Sequence, residues 1–243
     1  MSLLNNTIQA SSLAAPKGIV YGSPGVGKTT FGAAAGNSII VDCENGAGTI
    51  PCTRTPLLTD WLSIEQWLTE LATGHHEYHL VVIDTIDWLI RRIEEHVSGL
   101  ANDMNATLNR SHGGYGNGKQ VLKNYIYQTL LPLLDKIIAR NCAVVLLAHA
   151  KRGEITSTDG VTATKSTPDI AEDYRDSIIE WSDFVGLAVH NPDGSRMLTL
   201  TETPQALAKN RYYIDTPVDL SWTAFVQAIK ENTQHLFGAT TNG

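Results

Sequence analysis

Acidic residues outnumber basic ones 25 to 18, a formal charge of -7 over 243 residues, which excludes a surface that binds nucleic acid everywhere and confines any such contact to a local patch. A hydrophobic fraction of 42% against 18% charged is enough for a full core and too apolar for a disordered polyelectrolyte, so one domain is expected over residues 16–237, between flexible segments at 1–15 and 238–243. No apolar run approaches the roughly 20 residues that span a bilayer, and the polar N-terminus lacks the order of a secretory signal, so no membrane partner and a cytoplasmic location are expected. Cys43, Cys52 and Cys142 have no metal-ligand spacing and read as reduced thiols.

Residues 18–21 predict a short apolar strand and residues 29–35 a helix. Between them, Gly22-Ser23-Pro24-Gly25-Val26-Gly27-Lys28-Thr29 fits the phosphate-loop pattern G-x-x-x-x-G-K-[ST] in its required context. The glycines let backbone N–H groups wrap phosphates with no Cβ in the way. Lys28 is expected to reach the β and γ phosphates, Thr29 to place its hydroxyl on Mg2+, and Thr30 to join the phosphate contacts at the helix start. The next predicted strand, residues 38–42, ends in Asp42-Cys43-Glu44. Transfer of a phosphoryl group to water needs a base that orients the attacking water, and Glu44 at this strand tip is suited to it.

Residues 79–84 form an apolar strand ending in Asp84, the candidate carboxylate of a Mg2+ shell, about 55 residues after the phosphate loop. Asp87 follows in the first turn of a helix, where negative charge is favourable without any catalytic role. Residues 98–118 are polar and glycine-rich and predict a mobile loop, after which residues 119–140 carry apolar positions at helical spacing, with Pro132 predicting a kink or break. Residues 143–148 form a strand ending at His149, and residues 151–166, rich in Thr, Ser, Gly and Lys, predict a second mobile loop. A strand at 184–190, the turn Asn191-Pro192-Asp193-Gly194 and a return strand at 196–201 predict a hairpin. A last helix begins near the N-cap candidate Ser221, with Trp222, Phe225, Val226 and Ile229 facing inward.

Strands alternating with helices predict an α/β fold on a largely parallel sheet flanked by helices. The carboxylate after the second strand, in an Asp-x-Glu context, resembles that of RecA-like ATPases. AAA-plus proteins carry theirs directly after the Walker B Asp, where this chain has Thr85. His149 stands where RecA-like proteins place a Gln or His that senses the γ phosphate and relays its presence to the following DNA loop. Ala208-Lys209-Asn210-Arg211 resembles the Lys-x-Arg element that RecA-like and DnaB-like motors insert into a neighbouring subunit's site, where Lys209 and Arg211 stabilise charge on the γ phosphate in trans; a solvated basic turn is the alternative for each residue.

Together these segments resemble the RecA-like P-loop ATPases of bacteriophages over residues 16–235, and among them the Sak-type single-strand annealing and recombination ATPases. The resemblance implies a RecA-like P-loop NTPase core with a C-terminal β-hairpin extension, ATP with Mg2+, and a location in the bacterial host cytoplasm. It also implies a homo-oligomeric ring or filament with shared active sites, single-stranded DNA as ligand and a single-strand-binding protein as partner. Candidate DNA contacts are Tyr115 by stacking on a base, and Lys119, Lys151, Arg152 and Lys165 by phosphate attraction. Two alternatives stand beside this one: a helicase motor or helicase loader in phage DNA replication, and a non-catalytic nucleotide-binding regulator or packaging accessory.

Overall fold

The strands are β1 (Lys17–Gly22), β2 (Ser38–Asp42), β3 (Leu80–Asp84), β4 (Ala143–Thr156), β5 (Thr162–Pro168), β6 (Phe184–His190), β7 (Arg196–Thr199), β8 (Lys209–Asn210) and β9 (Val218–Asp219), with aliphatic and β-branched runs forming β1 to β3, the first half of β4, and β6. The helices are α1 (Lys28–Ala33), α2 (Trp61–Thr73), α3 (Ile86–Gly99), α4 (Asn117–Tyr125), α5 (Leu131–Ile138), α6 (Glu172–Trp181) and α7 (Trp222–Phe237). This computed structural model describes residues 13–100, 107–156, 160 and 162–237; most of the segments expected to be flexible, 1–12 and 238–243, lie outside the described residues, as do 101–106, 157–159 and 161.

The central sheet runs β2-β3-β4-β1-β6-β7-β9. Its first five strands pair in parallel, Gly22 level with both His149 and Ala188, and Asp84 level with both Asp42 and Leu147. Parallel neighbours need long crossovers, and the helices supply them. β4 lies between β1 and β3, so the strand leading to His149 separates the phosphate loop from Asp84.

A parallel sheet covered on both faces needs apolar side chains in every position, and the core divides by strand alternation. Ile19, Tyr21, Ile39, Val41, Val81, Ile83, Val144 and Leu146 bury one face under residues of α2, α3, α5 and α6. Val20, Ile40, Leu80, Val82, Val145 and Leu147 bury the other under Phe31 of α1 and Phe225, Ala228 and Ile229 of α7. Ser221 caps α7, its Oγ accepting from Ala224 N at 3.1 Å. Phe225 and Ile229 are buried as expected, while Trp222 and Val226 are half-buried.

Two segments differ from the sequence reading. The helix spanning Pro132 does not break: a π-helical turn, Ile126–Leu130, leads into α5 with Pro132 in its first turn. Proline has no N–H for the preceding turn and its ring crowds the carbonyl there, and the wider turn accommodates both. The expected loop at 151–166 continues β4 to Thr156 and returns as β5, antiparallel from Ala150↔Pro168 to Thr156↔Thr162. Its Thr-rich composition has the β-branched residues a ribbon favours but lacks the apolar alternation that signals a strand. Among the described residues no helix is long and apolar enough to cross a membrane.

Candidate active site

At the carboxyl edge of β1, β3 and β4 lies a cavity of about 250 Å³, where open α/β sheets bind their ligands. Pro24, Gly25, Gly27, Lys28, Thr29, Thr30, Glu44, Asp84 and His149 all line it, so residues from four separate sequence regions converge there. Gly22, Ser23 and Val26 build the loop beneath. A Cβ at Gly22 would stand 2.8 Å from the Ala188 carbonyl oxygen, and Val26 is buried in the core. Gly25 and Gly27 have φ of 77° and 107°, the left-handed region that costs glycine nothing.

Lys28 is folded back, its Nζ donating to the carbonyls of Gly22 (3.0 Å) and Ser23 (3.1 Å). Burial pulls its ammonium below the usual lysine range, against the opposing pull of Asp84 and Glu44. Thr29 Oγ1 donates to Asp84 Oδ2 at 2.7 Å, so the two expected Mg2+ ligands are already paired across 55 residues of chain. Asp84 is 2% exposed, and burial pushes its carboxyl up to about 6; the Thr29 hydrogen bond and Lys28 oppose the shift, and Glu44 and Asp42 add to it. A hydroxyl and a carboxylate facing a phosphate cavity fit Mg2+, a hard cation that keeps waters and phosphate oxygens around one or two protein ligands. Among the described residues no group of three or more His, Cys, Asp or Glu could hold a metal by itself.

The two carboxylates of Asp42-Cys43-Glu44 divide the work. Asp42 is fully buried and structural, accepting from Arg54 Nη1 at 2.7 Å and from the backbone N–H groups of Glu44 (3.2 Å) and Asn45 (2.6 Å). That turn sets Glu44 into the cavity. Glu44 Oε1 stands 3.3 Å from His149 Nε2, and His149 Nδ1 is 2.8 Å from Asp87 Oδ2. Asp87, whose sequence position accounts for it as a helix-start charge, therefore anchors the histidine that faces Glu44.

Sequence reasoning missed four further lining residues, Gly46, Ile50, Thr85 and Arg196. Arg196, at the start of β7, brings Nη1 to 3.0 Å from where a Gly27 Cβ would stand, and among the described residues no carboxylate pairs with it. Thr85, joined to Asp84 by a cis peptide bond, presents a buried hydroxyl. Gly46 follows the Glu44 turn, its side-chain position 3.7 Å from Asp84 Oδ2. No motif marks them; only strand order brings them together.

The remaining candidates lie away from the phosphate loop. Lys209 Nζ donates to the carbonyls of Ile179 (2.8 Å) and Glu180 (2.9 Å), and Arg211 pairs with Asp183 at 3.0 Å. Lys209 is level with Val185 while the phosphate loop is level with Ala188, roughly 10 Å further along the strand, so both residues sit toward the opposite edge of the sheet and do not line their own chain's cavity. Lys119 pairs with Asp173 (3.5 Å), Lys151 with Asp169 (2.9 Å) and Lys165 with Glu202 (2.6 Å). Arg152 is exposed and Tyr115 stands fully in solvent. Along the β4–β5 ribbon Lys151 and Lys165 share one face and Arg152 takes the other.

Comparison with known proteins bears on the whole assembly. No curated protein matches the chain. Residues 14–212 match the AAA domain, a span that runs from the residues before β1 through both β8 residues and takes in every residue of the cavity. The chain belongs to the AAA domain family, whose P-loop architecture binds and hydrolyses nucleotide.

Proposed function

We propose that this protein is a Mg2+-dependent, RecA-like ATPase that acts on single-stranded DNA as a homo-oligomer in phage recombination or strand annealing. The observation that carries the hydrolytic part is the placement of Glu44 in the cavity formed by the phosphate loop, Thr29 and Asp84. The carboxylate arrives from the tip of β2, as in RecA-like enzymes, and position 85, which holds Glu in AAA-plus proteins, is Thr.

The chain's own residues account for the steps. Lys28 exchanges its two backbone carbonyls for phosphate oxygens, a trade of weak acceptors for charged ones. Thr29 and Asp84 would hold Mg2+, which when bound would neutralise charge developing on the phosphate oxygens. Glu44 orients a water in line with the terminal phosphoryl group and takes its proton as the water oxygen bonds to phosphorus and the bond from phosphorus to the bridging oxygen breaks, releasing ADP. His149, held by Asp87, restrains the Glu44 side chain in the resting arrangement and leads directly into the β4–β5 ribbon. That continuity supports a nucleotide-linked change in the ribbon.

Support for DNA binding comes from the surface. Tyr115 is wholly exposed among glycines, an arrangement suited to stacking on a base. The ion pairs of Lys119, Lys151 and Lys165 are at the surface, where such pairs are worth about 0–1 kcal/mol and can be exchanged for phosphates. In the oligomer, Lys209 and Arg211, remote from their own cavity, complete a neighbour's site, and a single-strand-binding protein is the expected partner on DNA.

Measuring ATP turnover with single-stranded, double-stranded and no DNA, with Lys28→Ala as control, tests this. The expected result is turnover stimulated by single strands and lost in Lys28→Ala. Turnover indifferent to DNA overturns the DNA part, and directional unwinding of a forked duplex would assign the helicase alternative. Nucleotide retained without any turnover would indicate a binding regulator.

A further inference from the structure

We propose that the Thr85 hydroxyl hydrogen-bonds the terminal phosphoryl group of the bound nucleotide and so lets the cavity tell a triphosphate from a diphosphate; the inference rests on the cavity being the nucleotide site.

Thr85 occupies the N-cap position of α3, with extended φ and ψ of -121° and 164°. Threonine there ordinarily turns its hydroxyl back to accept from an N–H of the first helical turn. This one makes no cap bond. The residue is 1% exposed, and its Oγ1 has no hydrogen-bond partner in the protein. A buried hydroxyl left unpaired is costly and calls for an explanation.

Its surroundings supply one. The backbone carbonyl of Thr85 is taken by Leu89 N and that of Asp84 by Cys43 N. Asp84 Oδ2 is taken by Thr29, and both Asp87 carboxylate oxygens are engaged by His149. Thr85, whose hydroxyl is left unpaired, lines the same cavity as Lys28, Glu44, Asp84 and His149. The other buried side-chain polar atoms without partners among the described residues, on Trp61, Arg92, Thr167 and Arg175, belong to residues that do not line it. What completes Thr85 is therefore what enters the cavity.

Position selects the terminal phosphate. Thr85 is adjacent in sequence to Asp84 and two residues before Asp87, which holds the His149 that meets Glu44. Glu44, on the proposed function, acts where water attacks, and the γ position is therefore the one assigned to the Thr85 hydroxyl in the shared cavity. A hydroxyl donating to a charged phosphate oxygen there forms a charge-assisted bond that a diphosphate cannot offer.

The test compares binding of ADP and of a slowly hydrolysed ATP analogue, both with Mg2+, to the full chain and to Thr85→Val, Thr85→Ala and Thr85→Ser. Valine keeps the branched shape and removes the hydroxyl; alanine repeats the test if valine does not pack. Expected are about tenfold weaker binding of the triphosphate analogue to Val or Ala, unchanged binding of ADP, an apo melting temperature no lower than that of the unaltered protein for Val, and recovery of triphosphate affinity in Ser. Equal losses for both nucleotides, or no loss for either, overturn the inference. Failure of the unaltered protein to bind either nucleotide overturns the underlying reading of the cavity and this inference with it.

Discussion

Replacing Asp84 by Asn is expected to stabilise the nucleotide-free protein while disabling it. Burial raises the Asp84 carboxyl from 3.8 to about 6, so the folded chain holds that proton more firmly than the unfolded chain does. Between these two values the native state binds the extra proton, and stability falls as pH rises. At about 1.36 kcal/mol per pH unit, the penalty reaches about 3 kcal/mol above pH 6 and persists at neutral pH. Asparagine has nearly the same shape, still accepts from Thr29, and carries no charge to bury. In urea denaturation, Asp84→Asn should match the unaltered protein near pH 4, gain on it through pH 6, and exceed it by about 3 kcal/mol at pH 7.5. For a chain of this size that gain corresponds to roughly 6–12 °C in Tm. The same variant should lose Mg2+-supported turnover. A stability difference that does not change with pH, or a variant less stable at pH 7.5, would refute the reasoning.

Three other outcomes follow from the geometry. Arg196→Gln should weaken ADP and ATP by a similar factor, about tenfold for a lost charge-assisted bond, because Arg196 lies over Gly27; a loss confined to ATP in a titration would place it at the γ phosphate instead. Asp87→Asn should lower kcat about tenfold with little change in KM, since it loosens His149 opposite Glu44; equal effects on kcat and KM would contradict a positioning role. A variant with both Lys209→Ala and Arg211→Ala should lose turnover, and mixing it with Lys28→Ala should restore part, because a mixed interface pairs one intact phosphate loop with one intact Lys-Asn-Arg turn; no recovery would count against action in trans.

The phosphate loop was legible in the sequence because it is local: strand, loop and helix start occupy consecutive residues, and glycine marks the positive φ positions. Glu44 and Asp84 were legible because the first lies two residues past the end of β2 and the second ends β3, at the edge where such sheets bind ligands. Asp42 and Glu44 look alike in sequence, and only Arg54 and the two backbone N–H groups folded onto Asp42 make one structural and leave the other in the cavity. Asp87 was hidden because a helix-start carboxylate has a sufficient local reason to exist, while its bond to His149 spans 62 residues. Arg196 depends on β6 pairing with β1, which sets the return strand β7 against the loop. The β4–β5 ribbon escaped notice because its strands are polar and find their regularity in each other. Burial of the Thr85 hydroxyl has no sequence signature at all.

The central claim is that this cavity hydrolyses nucleotide with Glu44 as the base, and its most direct test is the fate of ATP bound to Glu44→Gln with Mg2+. The amide keeps the shape and cannot accept the water's proton. Uncleaved ATP should accumulate on the protein at unchanged affinity while turnover falls by a factor of 100 or more, about what a lost general base costs. Turnover at the rate of the unaltered protein would contradict the account.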